Sequence, residues 1–268
     1  FIIIINMLIN HGVRGSIPCT NFETSKYGGS TPCVEIITEE AQIIVDCGSG
    51  FSKVKFDDEK PTIIFLSHFH HDHIQGLPFN KFNLKGSKPI YLTNGIYGKN
   101  ELKNILKKYL SPPFFPIDFI GESNFLKFVD FHDVCSICKL IDFNKIVLNH
   151  PGKASGYSFQ QGNSKICYLL DNEFKTSQEN ELIEFSKGAN SIIWDGMYTD
   201  KELKTKKGWG HSSIEQGIKF GKKIGVKNLI ISHHSPTRTD KELDEIKLNY
   251  SGTNLIIAKE NEKMDIYG

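Results

Sequence analysis

The chain has 268 residues, of which 39% are hydrophobic and 24% are charged. These proportions exclude a disordered chain and allow one large packed core, so we expect a single domain spanning residues 1–268. The 32 basic residues nearly balance the 31 acidic residues, and the net charge of +1 provides no broad positive field for a long polyanion. Recognition of phosphate, if it occurs, must therefore be local.

The apolar runs and the cysteines indicate in which cellular compartment we expect the protein. No run approaches the roughly 18 apolar residues of a membrane span, and residues 1–6 are expected to form a first strand or to precede a natural start at Met7. The six cysteines are scattered through apolar runs, which is typical of reduced thiols in a cytoplasmic protein. Cys135 and Cys138 form a C-x-x-C beside His132, but no second pair lies at the spacing of a structural zinc site.

Apolar, β-branched runs recur along the chain and predict that strands dominate the framework. The predicted strands are Cys33 to Thr38, Gln42 to Asp46, Ile63 to Ser67, Ile146 to Leu148, Ile166 to Leu170, Ser191 to Trp194, Leu229 to Ser232 and Leu255 to Ala258. Apolar residues at three- and four-residue spacing predict helices at Asn100 to Leu110, Glu179 to Lys187, Ser212 to Ile224 and Lys241 to Asn249. Ser212 and Glu215 match a capping box, so the third helix should begin directly after His211.

The segment S-H-F-H-H-D-H-I-Q-G follows directly on an apolar strand. His68, His70, Asp72 and His73 place four metal-ligand side chains within six positions, a density that a solvated polar turn would not need. Residues at alternate positions of an extended turn point the same way. His68 and His70 can therefore share one metal, while Asp72 and His73 face a second.

Three further candidates stand singly after other predicted strands, namely His150, Asp171 and His233. Each alone is weak evidence, because a lone histidine is usually a hydrogen-bonded surface residue and an aspartate at a strand end is commonly a turn former. Together with the dense motif they predict one metal site where several strand ends converge.

The segment H-F-H-H-D-H resembles the H-x-H-x-D-H signature of the metallo-β-lactamase superfamily. The segments G-V-R-G-S-I-P, Y-G-G-S-T-P-C-V-E, I-V-D-C-G-S-G, L-N-H-P-G, Y-L-L-D-N-E, G-W-G-H-S-S and I-S-H-H-S-P also resemble blocks of its phosphodiesterase-like branch, which includes ribonuclease Z and small phosphodiesterases. The resemblance extends from Gly12 to about Pro236. It implies an α/β fold, the αββα sandwich of two mixed β-sheets flanked by helices, with metals at one edge of the sheets.

The resemblance also implies a ligand set for two divalent metal ions, with zinc preferred and manganese or iron as alternatives. The first metal would be held by His68, His70 and His150, the second by Asp72, His73 and His233, with Asp171 bridging them. His234 competes with His233, because adjacent residues at a strand end point to opposite sides. The family's S-H-x-S pattern selects His233.

Several other residues have two interpretations each. His211 resembles the family's proton donor or phosphate contact, or it only packs or caps a helix. Asp46 resembles an aspartate that orients ligand histidines, or it forms an Asx turn. The lysines between positions 201 and 207 form a solvated face or a basic lid over a phosphate. We assign no ligand role to His11, His71 or His132.

These features predict a binuclear hydrolase of a small cyclic or linear nucleotide-type phosphodiester. A hydroxide bridging the two metals would attack, with Asp72 orienting it and His211 protonating the leaving alkoxide. Asp171 replaces the bridging cysteine of zinc β-lactamases, and His70 stands where the flavin-linked di-iron branch usually has glutamate, so lactam hydrolysis and redox chemistry are disfavoured.

No long exosite is evident, so we expect a small-molecule partner, no long nucleic acid and no membrane. Several alternatives stay open: a thioester, lactone or sulfate-ester hydrolase, a ribonuclease Z-like endonuclease, and a metal-bound sensor or binding protein. A homodimer is also left open.

Overall fold

The computed structural model describes residues 7–80 and 88–265, so the expectation for residues 1–6 lies outside the described residues. Within the described part, two mixed sheets pack face to face, and helices cover the outer surface of each. The four-layer αββα arrangement that the resemblance implies is therefore confirmed.

The first sheet has seven strands in the order β13-β1-β2-β3-β4-β5-β6. Strands β3 to β6 are parallel, while β13, β1, β2 and β3 pair antiparallel. The strands are β1 (Met7–Gly12), β2 (Cys33–Ile37), β3 (Gln42–Val45), β4 (Thr62–Leu66), β5 (Ile90–Asn94), β6 (Leu126–Phe128) and β13 (Lys263–Asp265).

The second sheet has six strands in the order β12-β11-β10-β9-β8-β7. Strands β9 to β12 are parallel, so their carboxyl ends lie along one edge. The strands are β7 (Asp142–Leu148), β8 (Ala154–Gln161), β9 (Ser164–Leu169), β10 (Ser191–Asp195), β11 (Asn228–Ser232) and β12 (Leu255–Ile257).

The helices form the two outer layers and the turns beside the metal-ligand motif. In chain order they are α1 (His71–Ile74), α2 (Lys99–Tyr109), α3 (Phe119–Glu122), α4 (Glu179–Ser186), α5 (Asp200–Leu203), α6 (Ile214–Ile224) and α7 (Asp240–Asn249). Helices α2 and α3 pack on the first sheet, and α4, α6 and α7 pack on the second. All eight predicted strands and all four predicted helices are present, with ends that differ from the prediction by at most four residues.

The central strands are apolar at consecutive positions because both of their faces are covered. In β10, Ile193 packs between the sheets, whereas Ile192 and Trp194 pack beneath the helices. The same alternation places Ile44 of β3 against the opposite helical layer. A strand that reads as a continuous apolar run is expected wherever helices cover a parallel sheet.

The predicted cap of α6 is wrong by one residue. Ser213 is the N-cap and forms the capping box with Gln216, so the helix begins at Ile214 and not directly after His211. The Ser212 hydroxyl instead donates to the carbonyl of Asn172. The loop that carries His211 is thus tied to the second sheet, and His211 lies outside the first turn of the helix.

Candidate metal centre

The seven predicted ligands come together at one edge of the sandwich, beyond the carboxyl ends of the strands. His68, His70, Asp72 and His73 follow β4, while His150, Asp171 and His233 follow β7, β9 and β11 respectively. Six of the seven are buried, and His70 is exposed. The structure thus brings together every residue of the predicted ligand set.

His68, His70 and His150 form the first cluster, in which one nitrogen from each ring lies within 4.8 Å of the others. Nδ1 of His70 is 2.9 Å from Nε2 of His150. Nδ1 of His150 is 2.7 Å from the carbonyl oxygen of Gly210, and Nδ1 of His68 is 2.9 Å from the hydroxyl of Ser67. Each of these two rings is anchored through Nδ1 and directs Nε2 into the cluster.

Asp72, His73 and His233 form the second cluster. Nε2 of His73 is 3.4 Å from Oδ2 of Asp72 and 3.3 Å from Nε2 of His233. The other ring nitrogen of His73 is 2.7 Å from a carboxylate oxygen of Asp46. The backbone N–H of Ser16 donates to the same Oδ2 of Asp72 over 2.8 Å and so restrains that carboxylate.

Asp171 lies between the two clusters. Its Oδ1 is 3.5 Å from Nε2 of His150 and 3.9 Å from Nε2 of His68. Its Oδ2 is 3.0 Å from Nε2 of His73 and 3.3 Å from Nε2 of His233. One oxygen of this carboxylate therefore faces each cluster, which is the geometry that a bridging ligand requires.

Asp46 is the anchor beneath the centre, since its carboxylate is fully buried and has four protein contacts. It accepts hydrogen bonds from the amide and hydroxyl of Ser67, each over 2.7 Å, and from the hydroxyl of Tyr168 over 2.6 Å. Its remaining contact, with His73, holds that ring in orientation. Of the two interpretations of Asp46, the structure supports the orienting one.

Three residues of the centre adopt left-handed backbone conformations that non-glycine residues rarely take. The φ angles are 64° at Asp46, 58° at Asp171 and 58° at His233. Each follows the end of a strand, where the chain must turn sharply to direct a side chain across the edge of the sheet. Such strain costs on the order of 1 to 3 kcal/mol per residue and is concentrated at functional sites.

The pKa shifts of the candidate ligands differ in direction. Burial alone would lower the pKa of His73, but Asp171, Asp72 and Asp46 raise it well above its usual range, so a metal ion bound there would displace a proton. Burial, followed by the neighbouring histidines, lowers the pKa of His68 and of His70, so both rings are neutral at pH 7. Burial alone would raise the pKa of Asp171, but His233 and His73 hold it well below its usual range. Neutral imidazoles and ionised carboxylates are the forms that ligate divalent metals.

One buried ring nitrogen offers a direct test of whether a metal fits. Nε2 of His68 has no hydrogen-bond partner among the described residues, although the ring is only 3% exposed. A buried nitrogen without a partner is costly in a protein that holds nothing there. A divalent cation would accept its lone pair, so the residues present fit such an ion.

His211 lies beside the two clusters. Its ring stacks on that of His233 with centroids 5.1 Å apart, and its Nδ1 is 2.8 Å from a carboxylate oxygen of Asp195. Burial opposes protonation, but Asp195 and then Asp171 raise the pKa of His211 to about 9. A histidine that carries a proton at pH 7 suits the role of a general acid.

Asp195 is a functional candidate that the sequence analysis missed. It is fully buried and ends β10, whereas the predicted strand ended one residue earlier, at Trp194. An aspartate directly after an apolar run also marks Asp46, and this shared pattern is the signal that could have identified Asp195.

The remaining histidines face elsewhere. The ring of His234 approaches the carbonyl of Ala258 at 2.9 Å, on the opposite side of the chain from His233. His71 hydrogen-bonds to the hydroxyl of Tyr109, and His11 lies 2.6 Å from a carboxylate oxygen of Glu35. Of these histidines, none belongs to a group of metal-ligating side chains among the described residues.

All six cysteines are free thiols, and the described residues bring neither Cys135 nor Cys138 into a group that could hold a metal. In the part of the chain that the structure describes, no helix combines the length and the apolar character needed to cross a membrane.

Comparison with known proteins identifies similar chains. A model of the beta-lactamase superfamily domain matches residues 41–234. Ribonuclease Z of Picrophilus torridus is 25% identical, over 87% of this chain and 86% of that protein. The crystal structure of the metallo-beta-lactamase fold protein YhfI of Bacillus subtilis has a TM-score of 0.71 at 20% identity, over 97% of this chain and 98% of that one. A diphosphatase from the PhnP family has a TM-score of 0.69 at 15% identity, over 98% of each chain.

Proposed function

Because this chain belongs to the beta-lactamase superfamily, whose model matches most of it, we propose that it is a binuclear metal-dependent phosphodiesterase. The observation that carries the proposal is the position of Asp171, which directs one carboxylate oxygen to each of two ligand clusters. A single tetrahedral zinc uses four ligands, whereas the described residues bring nine metal-ligating side chains together here, the predicted seven with Asp195 and His211.

In this proposal, His68, His70 and His150 would hold one divalent ion, Asp72, His73 and His233 would hold the other, and Asp171 would serve both. The mixture of imidazole nitrogen and carboxylate oxygen suits zinc, with manganese or iron as alternatives. Two such ions supply hydroxide near neutral pH and neutralise charge on a phosphodiester.

The protein's own residues supply orientation and a proton. Asp72 accepts a hydrogen bond from Ser16, which leaves its carboxylate fixed to orient the nucleophile. His211, protonated because of Asp195, donates a proton to the leaving alkoxide. Asp195 also accepts the backbone N–H of Met197 over 3.0 Å, so it holds the His211 ring in place.

We propose a small nucleotide-type phosphodiester as substrate, since the net charge of +1 provides few contacts for a long polyanion. A ribonuclease Z-like activity on RNA is the second candidate, because a ribonuclease Z is among the relatives aligned over most of the chain. Salt dependence separates the two, because release of many counterions makes binding of long nucleic acid fall steeply with salt.

The first experiment measures metal content by elemental analysis after reconstitution. We expect two equivalents in the wild type and fewer in Asp171→Ala, while His71→Ala should retain two because its ring faces Tyr109. A ceiling of one equivalent in both the wild type and Asp171→Ala would overturn the bridging role.

The second experiment measures turnover of small diesters and of structured RNA. His211→Ala should keep its metal and lose on the order of 10²- to 10⁴-fold in turnover. This defect should shrink for a nitrophenolate leaving group, which needs little protonation. If RNA is cleaved much faster than every small diester, with activity collapsing as salt rises, the ribonuclease role replaces the small-substrate role.

We also propose a cytoplasmic location. Free thiols at all six cysteines fit a reducing compartment such as the cytoplasm.

A further inference from the structure

A cavity of about 530 Å³ lies beside α1, the helix that carries the candidate ligands Asp72 and His73. Its wall includes His71 and Gln75, at the start of α1 and directly after its end. His71 lies between the candidate ligands His70 and Asp72 in the chain, and consecutive Cα atoms are only about 3.8 Å apart. The wall of the cavity therefore includes a residue of the same backbone turn that carries two candidate ligands.

Aromatic rings dominate the cavity wall. Phe79 and Phe114 are 64% and 72% exposed, which is unusual for such large apolar side chains. Phe115 contacts Phe79 edge to face, with ring centroids 5.9 Å apart, and so fixes its orientation. Tyr109 contacts His71 in the same way and hydrogen-bonds to it. Phe79 and Tyr109 are thus held by neighbouring rings, and together with the exposed ring of Phe114 they provide surfaces on which a flat group can stack.

The polar groups of the cavity wall are hydroxyls, an amide and one imidazole. Hydroxyls of Ser49 and Ser52 and the amide of Gln75 line it together with the imidazole of His71. Among the described residues of the wall there is no aspartate, glutamate, lysine or arginine. A second phosphate would find no positive partner here, whereas a flat, neutral group with hydrogen-bonding edges would find both stacking faces and polar contacts.

We propose that this cavity binds the nucleobase of the substrate, and that Phe79 and Phe114 are residues that determine specificity. The proposal rests on the proposed phosphodiesterase activity and names the substrate class of the same site. The volume lies within the range of roughly 300 to 1,000 Å³ typical of small-ligand pockets. Nucleotidyl diesters are thereby preferred over alkyl diesters of equal charge.

The test is a calorimetric titration of the zinc-loaded protein with adenosine 5′-monophosphate and with ribose 5-phosphate, which lacks the base. Stacking of one base is expected to give the nucleotide an advantage of roughly 5- to 150-fold in dissociation constant. Phe114→Ala and Phe79→Ala should each reduce this advantage. Phe22→Ala is the matched control, because Phe22 is 92% exposed and does not line the cavity.

Adenosine titrated into the metal-free protein, followed by NMR, tests the cavity without catalysis. If no phosphodiester is hydrolysed but adenosine binds the wild type more tightly than Phe114→Ala, the phosphodiesterase proposal fails and the base cavity stands. Equal binding of the two phosphates by the wild type would overturn the cavity proposal. It would also be overturned if Phe114→Ala turned a dimer into a monomer without changing nucleotide binding, since the aromatic face would then be a contact between two copies.

Discussion

Replacement of Gly15 by alanine should weaken the proposed second metal site without replacing any candidate ligand. A β-carbon on Gly15 would lie 2.5 Å from both Cε1 and Nδ1 of the His233 ring, and it would also contact the methyl of Met197. Ordinary contact begins at 3.4 Å, so the ring must move by about 0.9 Å if the backbone holds. The backbone is held, because the Gly15 N–H donates to the carbonyl of His234 over 3.0 Å.

A shift of this size exceeds the tolerance of about 0.2 Å that metal-ligand distances allow. We expect a 10- to 100-fold loss of affinity for one metal equivalent, the size usually seen when the support of a ligand is removed. Overpacking should also lower the free energy of unfolding by about 1 to 3 kcal/mol.

Competition with a chromophoric chelator measures the two metal affinities of Gly15→Ala separately. Gly221→Ala is the matched control, because Gly221 lies within α6 and its added β-carbon would approach Val226 no closer than 3.2 Å. Unchanged affinity for both equivalents in Gly15→Ala would refute the reasoning, because His233 would then have moved without consequence or would not be a ligand.

Three further substitutions test the surroundings of the centre. Asp195→Asn removes the charge that raises the pKa of His211 to about 9, so the fall in kcat/KM at high pH should begin roughly 1 to 3 pH units lower, as a pH–rate profile would show. Burial lowers the pKa of His234 from 6.5 to about 3. As the pH falls between these values, the unfolded chain binds a proton at this residue and the folded protein does not. The free energy of unfolding should therefore fall by up to about 5 kcal/mol over this range. His234→Gln lacks this titrating ring. In the metal-free protein, its free energy of unfolding should therefore fall less between neutral and low pH than that of the wild type, as urea titrations at both pH values can show. Tyr168→Phe removes the hydrogen bond to Asp46, and urea unfolding should show a loss of about 1.5 to 3 kcal/mol.

The clustering of the candidate ligands was predictable because the pattern that marks them is local. His68 to His73 lie within six positions, and each remaining ligand stands within two residues of the end of an apolar run, where the edge of a sheet must lie. Strand β8 was not predictable in the same way. It alternates small and aromatic residues, and only the packing of Tyr157 and Phe159 between the sheets shows that it is buried.

The cap of α6 shows where local patterns become ambiguous. Ser212 with Glu215 and Ser213 with Gln216 both satisfy the spacing of a capping box, so the sequence offers two registers. Contacts distant in the chain decide between them, since the Ser212 hydroxyl is engaged by Asn172. The aromatic cavity was unpredictable for the same reason, because Phe79 and Phe114 come from segments that only the fold brings together.

The left-handed residues of the centre bear on the balance between stability and activity. Asp46, Asp171 and His233 together store several kcal/mol of backbone strain, a substantial fraction of the 5 to 15 kcal/mol by which a domain is usually stable. Glycine at any of these positions would relax the backbone but would remove a carboxylate or an imidazole that the chemistry needs. Selection for thermostability would therefore gain most from changes that abolish the activity, and a stable but inactive variant is the expected outcome of any screen that rewards folding alone.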